Sequence, residues 1–433
     1  MAAPIISSPA AAGGPALSTG PTPRYTSALS AVTTLFFLWG FITSLNDILI
    51  PYLKAIFQLS YTQANLINLC FFGAYFLMSI PAGLLVERVG YKRGMLLGFG
   101  VAALGAFLFY PAADQRSYGL FLGALFVLAS GITLLQVAAN PYVAILGPPQ
   151  SASARLTLTQ AFNSVGTTLG PVLGSVFLLS RLPKLTDATS AASIDVRAVQ
   201  MPYVIIGGML LLISLLLSQI KLPQIVPAEG DTSSSTRTSA WQYRHLLLGV
   251  LGIFAYVGAE VAIGSHLVSY FALPSVASME PVEAGKMVGF YWGGAMVGRF
   301  AGAYLLNKFS PGKALAFTSL GAIALIAISV GTTGSAALWS VLAIGLMNSI
   351  MYPTIFTLAV AGLGRHTEQA SGLLCTAIVG GAVVPVLFGA IADGPGLRWA
   401  FVLPVLCYAY IGWYGLRGSR QATAEVAPPV AFV

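Results

Sequence analysis

A dozen apolar runs, each about as long as a bilayer is thick, follow one another along this chain with short polar connections between them. They fall at roughly 30–53, 64–86, 93–112, 118–146, 157–180, 202–221, 246–271, 286–307, 313–331, 336–362, 369–391 and 398–416. A hydrocarbon core of about 30 Å is crossed by roughly 20 helical residues. Only 8% of the 433 residues are charged, against about 25% in soluble domains, so the chain cannot cover a surface that faces water. The expected fold class is an all-α membrane protein of twelve transmembrane helices. The 47 glycines and 25 prolines agree, because both residues are commoner in membrane helices than in soluble ones.

A formal charge of +8 raises the question of an acidic partner. No basic stripe is present, and Lys and Arg sit in short loops, where membrane topology explains them and nucleic acid does not. With cytoplasmic termini, the inner side carries Arg24, Arg88, Lys92, Arg93, Arg155, Lys221, Arg237, Arg244, Lys308, Lys313, Arg365, Arg417 and Arg420; the outer side carries Lys54, Arg116, Arg181, Lys184, Arg197, Lys286 and Arg398. Thirteen against seven places both termini in the cytoplasm by the positive-inside rule. Cys70, Cys375 and Cys407 lie in apolar stretches, with neither metal-ligand spacing nor a disulfide framework. The expected organisation is a disordered cytoplasmic tail at 1–28, a six-helix half at 29–221, a cytoplasmic linker at 222–244, a second six-helix half at 245–417 and a tail at 418–433. The first apolar run, from Leu29, is expected to act as an uncleaved signal-anchor.

The two halves repeat each other. FFGAYFLMSIPAGLLVERVGYKR at 71–93 matches YWGGAMVGRFAGAYLLNKFSPGK at 291–313, with Gly73 against Gly293. QVAANPYVAIL around Pro141 matches NSIMYPTIFTL around Pro353, and GPVLG at 170–174 matches VPVLF at 384–388. Three matches in the same order at a nearly constant offset predict two pseudo-symmetric halves, with a substrate site between them near the bilayer midplane.

Ionisable groups at membrane depth are costly and therefore point to function. Two acids lie well inside apolar runs, Asp47 in GFITSLNDILIP and Glu260 in FAYVGAEVAIGS. Desolvation favours the neutral form of a buried carboxylate, which suits proton uptake and release; with partner oxygens the same group suits Na⁺. Arg299 in MVGRFAGA, nearer the inner end of its run, reads as a brace between helices or a snorkelling cation. Neutral polar residues recur at helical spacing: Asn65 and Asn68, Gln136 and Asn140, Gln160 and Asn163, Asn348 and Tyr352. Residues three or four apart share a helix face, and amides offer donors and acceptors without charge. With Asn46 and the rings of Trp39, Tyr291 and Trp292, they form the expected lining for a neutral sugar. No nucleophile–base or metal-ligand constellation appears, so neither an enzyme nor a bound metal is expected. The loop GLLVERVGYKR at 83–93 resembles the GxLxDRxGRR signature of the major facilitator superfamily, with Gly83, Glu87, Arg88, Gly90, Lys92 and Arg93 as a cytoplasmic gate motif. Glu87 stands where that signature has Asp.

FFLWGFITSLNDILIP, YPAAD at 110–114, QVAANPYVAILGP, LTQAFNSVG, FAYVGAEVAIGS and MYPTIFTLAVAGLG together resemble the fucose–galactose–glucose:proton symporter family within that superfamily. The resemblance runs from about Leu35 to about Asp393. It implies a major facilitator fold and a secondary sugar symporter of the bacterial inner membrane, monomeric, with no cofactor beyond a co-transported H⁺ or Na⁺. Its coupling acid on helix one matches Asp47. Fucose transporters of the family carry a second acid on helix four, where this chain has Gln136; it has Glu260 where they have an amide. That departure resembles the glucose/galactose branch and makes Asp47 and Glu260 joint coupling candidates. Another sugar (N-acetylglucosamine, fucose or sucrose) and a major facilitator exporter are the alternatives; the amide-rich stripes argue against the exporter.

Overall fold

The structure is a computed structural model describing residues 25–57, 61–177, 196–223, 225–226, 239–420 and 431–432. Side chains at 46–57, 61–65, 68, 171–172, 174–177, 196–199, 225–226 and 431–432 lie outside those described. Each apolar run forms a helix. The first half contains α1 (Thr26–Phe57), α2 (Tyr61–Val89), α3 (Tyr91–Asp114), α4 (Tyr118–Ile145), α5 (Ala152–Phe177) and α6 (Val196–Gln219). The second contains α7 (Arg244–Phe271), α8 (Pro281–Leu305) and α9 (Pro311–Gly331), followed by three spans that are interrupted. The tenth is α10 (Gly334–Asn348) with α11 (Met351–Val360), the eleventh α12 (Thr367–Thr376) with α13 (Gly380–Asp393), and the twelfth α14 (Leu397–Ala400) with α15 (Val402–Trp413). Ile225–Val226 pairs antiparallel with Ala431–Phe432, tying the end of the chain to the connection between the halves.

Ten of these spans are long and apolar enough to cross a membrane, and α5 and α8 complete the twelve. Those two are the more polar helices. Arg155, Gln160 and Asn163 lie on α5, and Glu283, Lys286 and Arg299 on α8. They pack against each other, so much of their polarity faces protein and not lipid.

Local chemistry sets the ends. The Ser117 hydroxyl caps α4 by accepting from the Leu120 N–H. Pro281 and Pro311 open α8 and α9, where a missing N–H is harmless. Gly90, between α2 and α3, has φ +83°, a conformation that favours glycine. The spacing of Asn348 and Tyr352 predicts one continuous helix face, but the span breaks at Ser349–Ile350 between them. Pro353 has no N–H to bond the Ser349 carbonyl, which loosens that turn.

The halves pack by the same scheme. In the first, α1 lies on α5, α2 on α4, and α3 on α4 and α6; in the second, α7 lies on α13, α8 on α10, and α9 on α10 and α15. Between halves, α2 meets α12 and α5 meets α8, two contacts that exchange under the repeat. One close approach recurs as well. Gly166 of α5 presses on the Phe37 carbonyl of α1, and Gly380 of α13 presses on the Phe254 carbonyl of α7; a Cβ at either position would overlap that oxygen. Gly73 and Gly293, the pair that marked the repeat, have open space in the Cβ direction.

The same substitution should therefore have opposite outcomes. Gly166→Ala and Gly380→Ala should each destabilise by about 1–3 kcal/mol through overpacking. Gly73→Ala and Gly293→Ala should be neutral or stabilising by up to about 1 kcal/mol through helix propensity. Thermal unfolding of the detergent-solubilised protein reads both, and equal melting shifts at all four positions would contradict the packing described.

Candidate functional site

A run of hydrogen-bonded amides and phenols crosses the middle of the molecule. Gln160 Nε2 on α5 donates to Asn140 Oδ1 on α4 at 3.4 Å, and Asn140 Nδ2 donates to Tyr352 Oη on α11 at 3.2 Å. The second of these bonds joins the two halves. Tyr352 in turn faces Tyr256 of α7, with ring centroids 6.4 Å apart. Tyr256 Oη donates to Oε1 of Glu260 at 2.7 Å, one turn further along α7. Glu260 is half-buried, and the positive charge of Arg299 acts on its carboxylate. Arg299 itself donates through Nη1 to the Ser164 hydroxyl of α5, in the other half.

Two further amides bond to tyrosines in their own halves. Gln136 Nε2 donates to Tyr75 Oη on α2 at 2.5 Å, and Asn348 Nδ2 donates to Tyr291 Oη on α8 at 2.8 Å. Tyr291 Oη donates to the Glu260 carbonyl at 3.2 Å, and Tyr408 Oη donates to Asn348 Oδ1 at 2.8 Å. The site is thus a belt of neutral polar groups around a single described acid and its neighbouring guanidinium. Such a belt can bind a polyhydroxylated neutral solute and can change charge at one point.

Below this belt, toward the end of the bundle that carries the basic loops, the halves are in direct contact. Ser153 and Thr357 hydroxyls hydrogen-bond at 2.5 Å, and Ser371 Oγ donates to the Val137 carbonyl at 2.9 Å. Gln369 Nε2 donates to both carboxylate oxygens of Glu87, at 3.0 and 3.3 Å. A Cβ on Gly83 would lie 3.0 Å from the Glu368 carbonyl, and one on Gly372 would lie 2.7 Å from that of Ser79. The small residues at this crossing let α2 and α12 touch along their backbones.

The predicted site residues separate into groups. Gln136, Asn140, Gln160, Tyr352 and Glu260 meet in the belt. Asn163 is used differently: Nδ2 donates to the Phe36 carbonyl at 2.8 Å, bracing α5 on α1. Tyr291 and Asn348 lie behind Glu260, fully buried. Trp292 is 46% exposed on α8 and packs edge-on to Tyr291. Trp39 is buried against Phe36 and faces helices of its own half, lining a small apolar gap with Phe99, Leu128 and Ile206. Of the gate motif, Gly83 and Glu87 contact α12, Lys92 Nζ donates to the Ser218 carbonyl at 2.8 Å, Arg88 and Arg93 are exposed, and Gly90 makes the turn. Asn46, Asp47, Asn65 and Asn68 lie on α1 and α2 at positions outside the described side chains. Tyr75, Tyr256, Tyr408, Ser164 and Gln369 did not emerge from the sequence. Only Tyr256 carried a usable signal, its spacing of one turn from Glu260.

The Major Facilitator Superfamily profile matches residues 32–378. A glucose/galactose transporter of Brucella abortus biovar 1 (strain 9-941) is 57% identical over 398 residues, 92% of this chain and 95% of that protein. A putative glucose/galactose transporter of Helicobacter pylori (strain ATCC 700392 / 26695) is 47% identical over 403 residues, 92% of this chain and 98% of that protein. A crystal structure of the E. coli fucose:proton symporter FucP superposes with a TM-score of 0.83 at 35% identity, over 92% of this chain and 100% of that one. A FucP structure in the outward conformation gives a TM-score of 0.84 over the same shares. With the helix order, the paired halves and the crossing of α2 with α12 already in place, these matches mean that the chain belongs to the Major Facilitator Superfamily and, within it, to the fucose–galactose–glucose:proton symporter family.

Proposed function

We propose that this membrane transporter imports a neutral hexose, glucose or galactose, together with H⁺ or Na⁺, by alternating access around the polar belt. One observation carries the reading: Glu260, the acid at membrane depth among the described side chains, bonds Tyr256 and lies in the field of Arg299, which reaches across to Ser164 of the other half. The names of the Brucella and Helicobacter relatives support the choice of sugar. Cytoplasmic placement of the basic loops follows from the positive-inside rule. On that orientation the sealed crossing of α2 with α12 faces the cytoplasm, and the belt is approached from outside.

Gln136 and Gln160 are half-buried and stand as the amides most available to sugar hydroxyls, with Asn140 and Tyr352 beneath them. Asn46, Asn65 and Asn68 remain candidates for the same lining, and Asp47 is the second candidate for coupling. Glu260 is the first candidate for coupling, supported by its bond to Tyr256 and the nearby charge of Arg299. When it takes up a proton or a cation its negative charge is compensated, and Arg299, which bonds Ser164 and lies in the field of the acid, loses part of its electrostatic attraction. Charge at the site is thereby linked to a contact between halves. The Glu87–Gln369 bonds act as the latch on the cytoplasmic side, released as α2 and α12 separate.

Counterflow of radiolabelled D-glucose and D-galactose in proteoliposomes tests the function, and absence of exchange with any hexose would sink it. Uptake under separately imposed proton and sodium gradients identifies the cation. Glu260→Gln and Asp47→Asn should each abolish uphill accumulation while leaving counterflow measurable; accumulation at the wild-type level removes that residue from coupling. The crossing of α2 and α12 makes a separate prediction. Gly372→Val should wedge the cytoplasmic side and lower net uptake by about tenfold, the shift produced by roughly 1.4 kcal/mol of overpacking. Uptake rates normalised to protein in the membrane report the loss, and a wild-type rate would show that the crossing does not close during transport.

A further inference from the structure

Tyr408, Asn348 and Tyr291 form a hydrogen-bond chain that can run in one direction only. A main-chain carbonyl accepts and never donates, so the single hydrogen of Tyr291 is committed to the carbonyl of Glu260, 3.2 Å away. Tyr291 Oη must then accept from its other neighbour, which puts Nδ2 of Asn348 toward it at 2.8 Å. That places Oδ1 of Asn348 against Tyr408, whose hydroxyl must donate, also at 2.8 Å. All three side chains are at zero exposure, so water does not compete for these roles. The chain links α15, α10, α8 and α7, and it enters α10 at Asn348, the last residue before the break in the tenth span.

Two consequences follow for Glu260. The Tyr291 hydrogen is held on the backbone and is not offered to the carboxylate, whose hydroxyl partner is Tyr256 of its own helix. Every donor of the chain points along the path that ends on the main-chain carbonyl of Glu260. Among the described residues, the titratable groups that act on Glu260 are Tyr256 from α7 and Arg299 from α8; the charge of Glu260 in turn reaches Tyr291 on α8 and Tyr408 on α15.

We propose that Tyr408 and Asn348 are positioning residues for coupled transport, acting through Tyr291 to hold the α7 turn and the proton equilibrium of Glu260 without touching the sugar. This rests on the reading of Glu260 as a coupling acid. It also assigns Asn348 and Tyr291, which the sequence places among sugar ligands, to a layer behind the site.

Uphill accumulation of D-glucose in proteoliposomes, measured across external pH and normalised to protein in the membrane, tests it with Tyr408→Phe, Tyr291→Phe, the double variant and Glu260→Gln. Breaking one hydrogen bond in the chain should move the pH of half-maximal accumulation by about half a pH unit, or roughly threefold in proton affinity. Tyr408→Phe removes one bond of the chain and Tyr291→Phe two, including the one to the Glu260 carbonyl, so Tyr291→Phe should shift at least as far as Tyr408→Phe and the double variant no further than Tyr291→Phe. Tyr408→Phe should retain D-glucose counterflow. Should Tyr408→Phe fail to reach the membrane, Tyr291→Phe gives the same reading. Wild-type pH profiles in the single variants, or additive shifts in the double, overturn the proposal while Glu260→Gln still abolishes accumulation. Accumulation by Glu260→Gln overturns the underlying assignment of the acid instead.

Discussion

Hydrocarbon offers no hydrogen-bond partner, so a polar side chain inside a bundle of this kind must be answered by another part of the protein. The centre of the molecule is organised by that requirement. Gln160 is answered by Asn140, Asn140 by Tyr352, Gln136 by Tyr75, and Asn348 by two tyrosines. Not every group is answered. The hydroxyls of Ser79, Thr157 and Thr354 and the Nε of Arg299 are buried without a partner. Ser79 lies on α2, Thr157 on α5, Arg299 on α8 and Thr354 on α11, the helices by which the halves meet. Each buried unsatisfied group costs about 1–3 kcal/mol. That cost is relieved when the halves part and water enters, so the closed seam is not so stable that it cannot open.

The repeat explains why this belt lies where it does. Asn140 and Tyr352 each precede the proline that marks the match, Pro141 in the first half and Pro353 in the second. Positions related by a pseudo-twofold approach one another only near the axis, and these two are hydrogen-bonded. The residue types differ, an amide against a phenol. The framework stays symmetric beneath them: Gly166 and Gly380 make the same backbone contact in the two halves. Packing is thus conserved between halves of the chain where shape decides, and it diverges where chemistry does.

Much of this was legible in the sequence. Span number came from hydrocarbon thickness, and the paired halves came from the matches at Gly73, Pro141 and Pro171. The polar pairs at helical spacing led to Gln136, Asn140 and Gln160. What could not be read was which partner each polar group takes. Tyr75, Tyr256 and Tyr408 come from three different helices, and in an apolar run a tyrosine looks like any other aromatic packing residue. Asn163 has the same spacing signal as Gln160, yet it turns to the Phe36 carbonyl because α1 passes close at Gly40 and Gly166. The break after Asn348 was hidden for a related reason: Pro353 was visible, but a proline need not interrupt a membrane helix, and Pro141 lies inside the continuous α4.

The placement of the acid gives this chain its own logic within the family. The family resemblance implies a second carboxylate in fucose-type transporters at the position of Gln136, which here bonds Tyr75 within the first half. An acid there would have its nearest hydroxyl on the same rigid unit. Glu260 stands instead in the second half, within the field of Arg299, and Arg299 reaches across to Ser164 of the first. A change of charge at residue 260 therefore acts on a group that already bridges the halves. Coulomb attraction in a medium of low dielectric extends over several ångströms, so no direct ion pair is needed for the effect to be felt. On the coupling role proposed for Glu260, an acid on α7 reaches a contact between the halves through a single side chain, Arg299.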